Sequence, residues 1–317
     1  MRTITALFVG LGSIGTRHLK NLANLCADRG WTLQADALRS DLTRPLRPGA
    51  AELLHAQYTD LAAAPAHYDM VFITNPTSLH AEALRQVKGR GEALFIEKPI
   101  FSAEQTGLAL DELLPVGQKA YVAAPMRWCG AMLALKDRLP ALHPYCARVI
   151  CSSYLPDWRP GVDYRTVYSA RKALGGGVTI DLIHEWDYLV ELFGVPEKLY
   201  NFKGTYSELE IDSDDLSVYI AKYPTLLAEV HLDYFGRGYR RSIELFCRDG
   251  SYLADFGKGT LTLPDGTVQH YEEDVNRRYE REMEYFVDYA LTGCGESCNP
   301  PALALKVLKL TLGENVQ

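Results

Sequence analysis

The chain has 317 residues, of which 47% are hydrophobic and 23% charged, and its formal net charge is -7 at pH 7. These values are typical of a soluble globular protein of about two domains, and they argue against disorder and against non-specific nucleic-acid binding. No apolar run reaches the roughly 18 residues that span a bilayer, so no membrane partner is expected.

Up to about residue 125, short apolar runs alternate with segments of helical periodicity. Strands are predicted at 4–9, 33–38, 70–74, 93–96 and 120–123, and helices at 14–25, 78–87 and 103–114. Strands that are apolar throughout and separated by helices indicate a parallel sheet covered on both faces. We therefore expect an α/β fold with a doubly wound, Rossmann-type domain over residues 1–124.

After about residue 145 the pattern changes. A helix is predicted at 177–193, and alternating apolar segments follow at 216–220, 228–232 and 242–246. Because period two indicates one buried and one wetter face, we expect an α+β domain with a large, mostly antiparallel open sheet over residues 125–299. Further helices are predicted at 275–291 and 301–312, and a C-terminal helix within 300–317 could pack back on the N-terminal domain.

The first strand runs directly into a glycine loop, Gly10-x-Gly12-Ser13-Ile14-Gly15, which an amphipathic helix follows. The first glycine permits a tight turn, the second lets the backbone approach a pyrophosphate, and the third allows close packing of helix on strand. The helix N-terminus supplies amide donors and a positive dipole. The loop therefore predicts a bound nicotinamide dinucleotide.

The residues at the end of the second strand indicate whether that dinucleotide is NAD or NADP. An acidic residue there would bind the ribose hydroxyls of NAD, whereas this chain has Arg39 and Ser40. A guanidinium and a hydroxyl suit a 2′-phosphate, which favours NADP over NAD. The alternative is an exposed Arg39, with Asp36 or Asp41 serving NAD.

Three further motifs follow in order: D-x-V-x-I-x-N-P-x-x-x-H at 69–80, E-K-P at 97–99 and G-G-G-V-T-I-D-L-I-H-E-W-D at 175–187. With the glycine loop, they resemble the glucose–fructose oxidoreductase/inositol dehydrogenase (Gfo/Idh/MocA) family over nearly the whole chain. The resemblance implies an NAD(P)-dependent dehydrogenase acting on sugars, inositols or nucleotide sugars. It also implies a homodimer or homotetramer built through the C-terminal sheet.

The resemblance assigns the first two motifs to the cofactor. Asn75, Pro76 and Glu97 fall on positions that line it, and His80 falls beneath it, where a structural role at a helix start is the simpler interpretation. Lys98 falls on the family's EKP lysine, beside both the nicotinamide and the reacting hydroxyl.

Asp181 and His184 fall on the acidic residue and the histidine that complete the family's catalytic group. The common family spacing is D-x-x-x-H, whereas this chain has D-x-x-H followed by Glu185. One residue rotates a side chain by about 100° on a helix, so either His184 or Glu185 could occupy the histidine position. The family's asparagine-tyrosine-arginine-phenylalanine run is also altered, and of its contacts Arg127 is retained as a candidate substrate ligand.

A proline-stiffened loop at 154–165 carries two arginines and two aromatic side chains among the candidate substrate ligands. These residues are Trp158, Arg159, Tyr164 and Arg165. Such a loop can clamp a carboxylate or phosphate and stack a sugar ring or base. The loop resembles a subgroup linked to bacterial surface-sugar pathways, and the alternative is a loop that contacts a partner or a second subunit.

Removing a hydride from a secondary alcohol also requires a base for the hydroxyl proton. A histidine, with an ordinary pKa of about 6.5, suits that task, and Lys98 can polarise the substrate oxygen. Two alternatives remain: a catalytically silent, cofactor-sensing regulatory or scaffold protein, and redox-neutral chemistry through transient oxidation. The seven cysteines form no CxxC pair, which predicts reduced thiols in a cytoplasmic protein without a metal site.

Overall fold

The structure is a computed structural model that describes residues 2–316. These residues form two compact units. Unit 1 contains the chain up to Ala123 together with Tyr279–Leu305, and unit 2 contains Ala124–Arg278 together with the residues from Lys306 onward.

Unit 1 is built on a six-stranded sheet in which all neighbouring strands run parallel. The strands are β1 Thr3–Val9, β2 Thr32–Leu38, β3 Leu54–Tyr58, β4 Tyr68–Ile73, β5 Gly91–Ile96 and β6 Lys119–Val122. Their order, β3-β2-β1-β4-β5-β6, reverses direction between β1 and β4, and this is the doubly wound arrangement that was predicted. The core of the sheet is apolar, and Phe8 stacks on Phe72 with ring centroids 4.4 Å apart.

Three helices connect these strands: α1 Ser13–Asp28, α2 His80–Gln86 and α3 Leu110–Leu113. The helix predicted at 103–114 is wrong over most of its length, because only a 3-10 turn at Ala103–Gln105 and the short α3 form there. The backbone at Ala109 is extended, and Gly107 precedes it, so no continuous helix can develop. Strand β3 is not among the predicted strands, and its residues alternate in burial as those of an edge strand do.

The last two helices are α7 Arg277–Thr292 and α8 Pro301–Thr311. The predicted boundary placed residues 279–299 in the C-terminal domain, whereas in the structure they belong to unit 1. The reason is packing: the Phe286 ring meets Phe72 and Phe95 edge-on at 5.4 and 5.1 Å. Within α8, residues up to Leu305 belong to unit 1 and the remainder to unit 2.

Unit 2 contains an eight-stranded sheet in the order β14-β13-β12-β11-β7-β10-β9-β8. The strands are β7 Cys146–Tyr154, β8 Lys198–Gly204, β9 Leu216–Lys222, β10 Leu227–Asp233, β11 Phe235–Cys247, β12 Gly250–Asp255, β13 Thr260–Thr262 and β14 Val268–His270. Only β7 and β10 pair in parallel, so the predicted, mostly antiparallel sheet is confirmed. Residues alternate between a buried and a half-exposed face, as period two requires.

The helices of unit 2 are α4 Gly130–Arg138, α5 Val178–Asp181 and α6 His184–Phe193. The single helix predicted at 177–193 is therefore interrupted at Leu182 and Ile183. Among residues 2–316, no helix has the length and apolar character needed to span a bilayer.

Candidate functional site

The glycine loop packs tightly against the end of β4. Gly10 has φ +83°, and a Cβ there would lie 2.7 Å from Cα of Asn75. A Cβ on Gly15 would lie 2.6 Å from Oγ1 of Thr74. Distances below about 3 Å are steric clashes, so these two positions require glycine for the fold itself.

Gly12 differs from both, because a Cβ on it would meet nothing within 4 Å. It lies at the N-cap of α1 with no capping side chain, and both Gly12 and Ser13 are exposed. The first amides of the helix, at Ser13, Ile14 and Gly15, have no partner within the helix. This edge of unit 1 thus offers open backbone donors and a positive helix end, which fits a dinucleotide pyrophosphate.

Arg39 follows β2 directly and lines a surface cavity of about 440 Å³ with Arg44 and Arg47. Its guanidinium donates to Oε1 of Gln57 at 2.7 Å and to the carbonyl of Arg44 at 2.5 Å. Both acceptors are neutral, so these bonds orient the Arg39 guanidinium without cancelling its charge. Ser40 is exposed beside it.

The two acidic alternatives to Arg39 have other partners. Asp36 is 3% exposed and accepts hydrogen bonds from the hydroxyl of Tyr68 at 2.8 Å and from Nδ1 of His55 at 3.1 Å. Asp41 accepts from the amide and hydroxyl of Thr43, and these bonds lower the pKa of its carboxyl. Asp36 thus belongs to the interior of the sheet, and Asp41 to a surface turn.

His80 is fully buried between two backbone carbonyls. Its Nε2 lies 3.0 Å from the oxygen of Asn75, and its Nδ1 lies 3.1 Å from the oxygen of Ile100. Burial lowers the pKa of His80, so its ring is neutral at pH 7 and donates to one carbonyl at a time. The geometry gives His80 a structural role under the loop that carries Asn75 and Pro76.

Glu97 links helix α1 to Lys98, the next residue in the chain. One carboxylate oxygen lies 2.5 Å from Nε2 of His18, and the other accepts the backbone N–H of Lys98 at 3.1 Å. Although burial opposes it, the hydrogen bond from His18 lowers the pKa of Glu97, so the carboxylate is charged and His18 donates. Lys98 itself is half-buried.

In unit 2, the carboxylate of Asp181 is held by two phenols. Tyr168 donates to one oxygen and Tyr234 to the other, each at 2.6 Å. Asp181 is 7% exposed, whereas Tyr168 is 42% exposed. Burial and the neighbouring Asp181 raise the pKa of Tyr168, so its hydroxyl remains protonated and donating at neutral pH.

The break between α5 and α6 changes the expected orientation of His184 relative to Asp181. Because α5 ends at Asp181 and α6 begins at His184, the expected rotation on one continuous helix does not apply. Glu185 is fully buried and pairs with Arg241, whose Nε and Nη2 lie 2.7 and 3.0 Å from its two oxygens. His184 is half-buried and Glu185 is committed to the interior, so the geometry favours His184 as the functional residue.

Arg127, a predicted substrate ligand, lies in a buried ion network. Its side chain is 3% exposed and forms two 2.8 Å bonds with Asp187 and a 2.6 Å bond with Glu191. A guanidinium with such partners stabilises the start of unit 2 rather than facing solvent.

The four candidate substrate ligands in the loop at 154–165 contact different partners. Arg165 bonds Asp163 and Glu210, and the hydroxyl of Tyr164 accepts the backbone N–H of Glu210. Trp158 donates to Oγ of Ser153 at 3.0 Å, and Arg159 lies over the ring of Tyr168 at 5.7 Å.

Sequence reasoning missed His18, Tyr168 and Tyr234. His18 stands one turn after the glycine loop, and that spacing on the loop helix is a signal that could have identified it. The two tyrosines are far from Asp181 in sequence, at separations of 13 and 53 residues, and no local pattern marks them.

Comparison with known proteins finds a family model that is similar to the N-terminal part of the chain. Residues 4–119 match the family model described as "Oxidoreductase family, NAD-binding Rossmann fold". The chain is 24% identical over 308 residues to the uncharacterized oxidoreductase YrbE of Bacillus subtilis, covering 90% of this chain and 86% of that protein. It is 26% identical over 200 residues to an inositol 2-dehydrogenase of Rhizobium meliloti, covering 61% and 56% respectively.

Solved structures share the fold over nearly the whole chain. A levoglucosan dehydrogenase in complex with NADH and levoglucosan superposes with a TM-score of 0.81 at 15% identity, covering 98% of this chain and 96% of that one. A UDP-N-acetylglucosamine 3-dehydrogenase from Acidithiobacillus ferrooxidans gives 0.72 at 18%, covering 99% and 97%.

Two of the loop glycines, Gly12 and Gly15, are expected to respond differently to substitution by alanine. Gly15→Ala should lower the free energy of unfolding by about 1–3 kcal/mol, because its Cβ overlaps Thr74. Gly12→Ala should leave the melting temperature unchanged but weaken dinucleotide binding by about tenfold or more, because its methyl group enters space that the ligand needs. Thermal melts and equilibrium titrations with the dinucleotide measure both effects. Unchanged dinucleotide affinity in folded Gly12→Ala would contradict the assignment.

Proposed function

We propose that this chain is an NADP-preferring dehydrogenase or reductase of the Gfo/Idh/MocA type, a proposal supported by the family-model match over residues 4–119 and by the inositol dehydrogenase relatives. Its substrate in this proposal is a secondary hydroxyl or carbonyl of a sugar, sugar acid or nucleotide sugar. Support comes from the inositol dehydrogenase relative and from the levoglucosan and UDP-N-acetylglucosamine dehydrogenases that share its fold.

The observation that carries the proposal is the common edge at which β1, β4 and β5 end. Val9 aligns with Ile73, and Ile73 aligns with Ile96. Neighbouring strands lie about 4.8 Å apart, so the chain reaches Lys98 about 10 Å across the sheet from Gly10. Ligands of doubly wound folds bind at this edge, where the strand order reverses. A bound dinucleotide and Lys98 would share it.

The chemistry assigns one task to each residue. The nicotinamide, when bound, supplies the hydride chemistry. Lys98 polarises the substrate oxygen, and His184 takes the hydroxyl proton in the oxidative direction or returns it in the reductive one. Because both oxygens of Asp181 already accept phenol hydrogen bonds, we assign Asp181 to holding Tyr168 in place.

The preference for NADP rests on the Arg39 guanidinium after β2. Arg39 bonds only neutral oxygens, and it lines its cavity together with Arg47, Glu52 and Arg44, the last of which lies 3.5 Å from Asp41. A 2′-phosphate carries about 1.5–2 negative charges and can accept several charge-assisted hydrogen bonds. Asp36, the acidic residue within β2, is engaged with Tyr68 and His55, which removes it as a ribose ligand.

We expect Arg39→Ala to weaken NADPH binding by about 10- to 100-fold, the value of one lost charge-assisted hydrogen-bond set. NADH binding should change by less than about twofold, because NADH has no 2′-phosphate. Fluorescence titration with each cofactor measures this, and Arg85→Ala, on the exposed face of α2, is the matched control. Wild-type protein that binds NADH as tightly as NADPH would contradict the preference.

Lys98→Met should lower kcat by at least about 100-fold, because it removes the charge that stabilises the developing oxyanion. Cofactor affinity should remain within a few fold, since the glycine loop is untouched. Turnover is followed by NADPH absorbance across a panel of oxidised sugars, with Lys88→Met as the control for a surface lysine. Full turnover in Lys98→Met would remove Lys98 from the reaction. Wild-type protein that binds NADPH but turns over none of the panel would favour the cofactor-sensing alternative.

We also propose that the half-exposed face of the unit 2 sheet joins copies of this chain. Tyr200, Phe202 and Ile220 are 52%, 73% and 38% exposed there, and Tyr200 pairs with Ile220 across β8 and β9. Contiguous exposed apolar side chains mark interaction surfaces.

Phe202→Asp should therefore halve the molar mass of the assembly, because a carboxylate would be buried in the contact. Light scattering coupled to gel filtration measures the mass. Val116→Asp, at a fully exposed position of unit 1, should leave it unchanged. A monomeric wild-type protein would contradict this part of the proposal.

A further inference from the structure

The loop at 154–165 carries two arginines in opposite electrostatic surroundings. Arg165 is bonded by both oxygens of Asp163 and by Glu210, so its charge is cancelled within the loop. Arg159 is exposed, and among residues 2–316 no carboxylate lies within 4.0 Å of its guanidinium. One of the two cations is therefore available to a ligand and the other is not.

Aromatic packing fixes where the available cation lies. The guanidinium of Arg159 is 5.7 Å from the ring centroid of Tyr168, and the hydroxyl of Tyr168 donates to Asp181. A guanidinium that stacks on an aromatic ring keeps its N–H donors in the plane, directed outward. A single tyrosine ring thus separates the Arg159 charge from the carboxylate of Asp181.

The same surface includes an aromatic platform. Trp158 is 37% exposed and meets Tyr234 edge-on at 5.2 Å, and Tyr234 is the second phenol on Asp181. Tyr168 therefore contacts Asp181 directly through its hydroxyl, and Trp158 is connected to Asp181 through Tyr234. Such rings suit the apolar face of a sugar, and an unpaired guanidinium beside them suits an anionic group on that sugar.

We propose that Arg159 binds a negatively charged oxygen group of the substrate, so that this protein acts on anionic rather than neutral sugars. The inference rests on the proposed function, because it places the sugar beside Asp181 and Tyr168. The anionic group is either a carboxylate on the sugar itself or the diphosphate of a nucleotide-linked sugar. Both present the paired oxygens that a guanidinium fork binds.

The test uses the full-length protein saturated with NADPH and measures binding of glucuronate, UDP-glucose and glucose by calorimetry. We expect at least one anionic probe to bind at least about tenfold more tightly than glucose. Arg159→Ala should abolish that difference, a loss of about tenfold or more that corresponds to one charge-assisted hydrogen-bond pair. Arg159→Lys should retain part of it, because a lysine keeps the charge but not the fork. Tighter binding of glucuronate would identify the anionic group as a carboxylate, and tighter binding of UDP-glucose would identify it as the diphosphate.

Arg171→Ala is the matched control, because Arg171 is an exposed arginine of the same unit that already lies 3.8 Å from Asp212. It should bind every probe within about twofold of wild type. Equal binding of charged and neutral probes by wild type, no binding of either anionic probe, or an equal loss in Arg171→Ala would overturn the inference.

The two proposals fail separately. Hydride transfer to neutral sugars that Arg159→Ala leaves intact would keep the proposed function and overturn the anion site. Arg159-dependent binding of an anionic probe without any hydride transfer would keep the anion site and overturn the proposed function.

Discussion

The buried carboxylate of Glu97 is the constraint on which unit 1 depends. A buried carboxylate costs several kcal/mol unless hydrogen bonds satisfy it, and here one oxygen takes His18 and the other takes the amide of Lys98. His18 belongs to α1, the helix that begins at the glycine loop, and Lys98 follows β5. The charge of Glu97 therefore couples the cofactor helix to the lysine, and neither can shift without leaving that charge unpaired.

Unit 2 uses its buried carboxylates in the same way. Asp181 accepts two phenols, Glu185 pairs with Arg241, and Asp187 pairs with Arg127. Acidic residues that share one short segment thus have two kinds of partner, phenols for Asp181 and guanidinium groups for Glu185 and Asp187. The break after α5 separates Asp181 from Glu185 and Asp187, which lie on α6.

The sequence predicts most of the parallel sheet, because short, mainly apolar runs separated by helical segments indicate a sheet covered on both faces. It does not reveal β3, an edge strand with alternating burial, or the packing of α7 on unit 1, which depends on contacts between Phe286 and residues about 200 positions away. The sequence predicts the glycine loop and Lys98 as candidate site residues because their motifs are local, and these assignments stay predictions. The roles of Glu185 and Arg127 could not be predicted, because their partners lie 56 and 60 residues away and no motif encodes the pairing. The resemblance to the Gfo/Idh/MocA family, in contrast, follows from the ordered motifs, and residues 4–119 match an oxidoreductase family model.

The central claim is that the Gly10–Gly15 loop and Lys98 serve one redox reaction on a sugar. The most direct measurement is an isotope-transfer experiment. The protein is incubated with NADPH deuterated at nicotinamide C4 and a panel of oxidised sugars and uronic acids. The masses of the products are then measured by mass spectrometry. We expect one product to gain a single deuterium in equal amount to the NADP⁺ formed. Tight NADPH binding with no labelled product across the panel, or sugar turnover without transfer of the label, would contradict the claim.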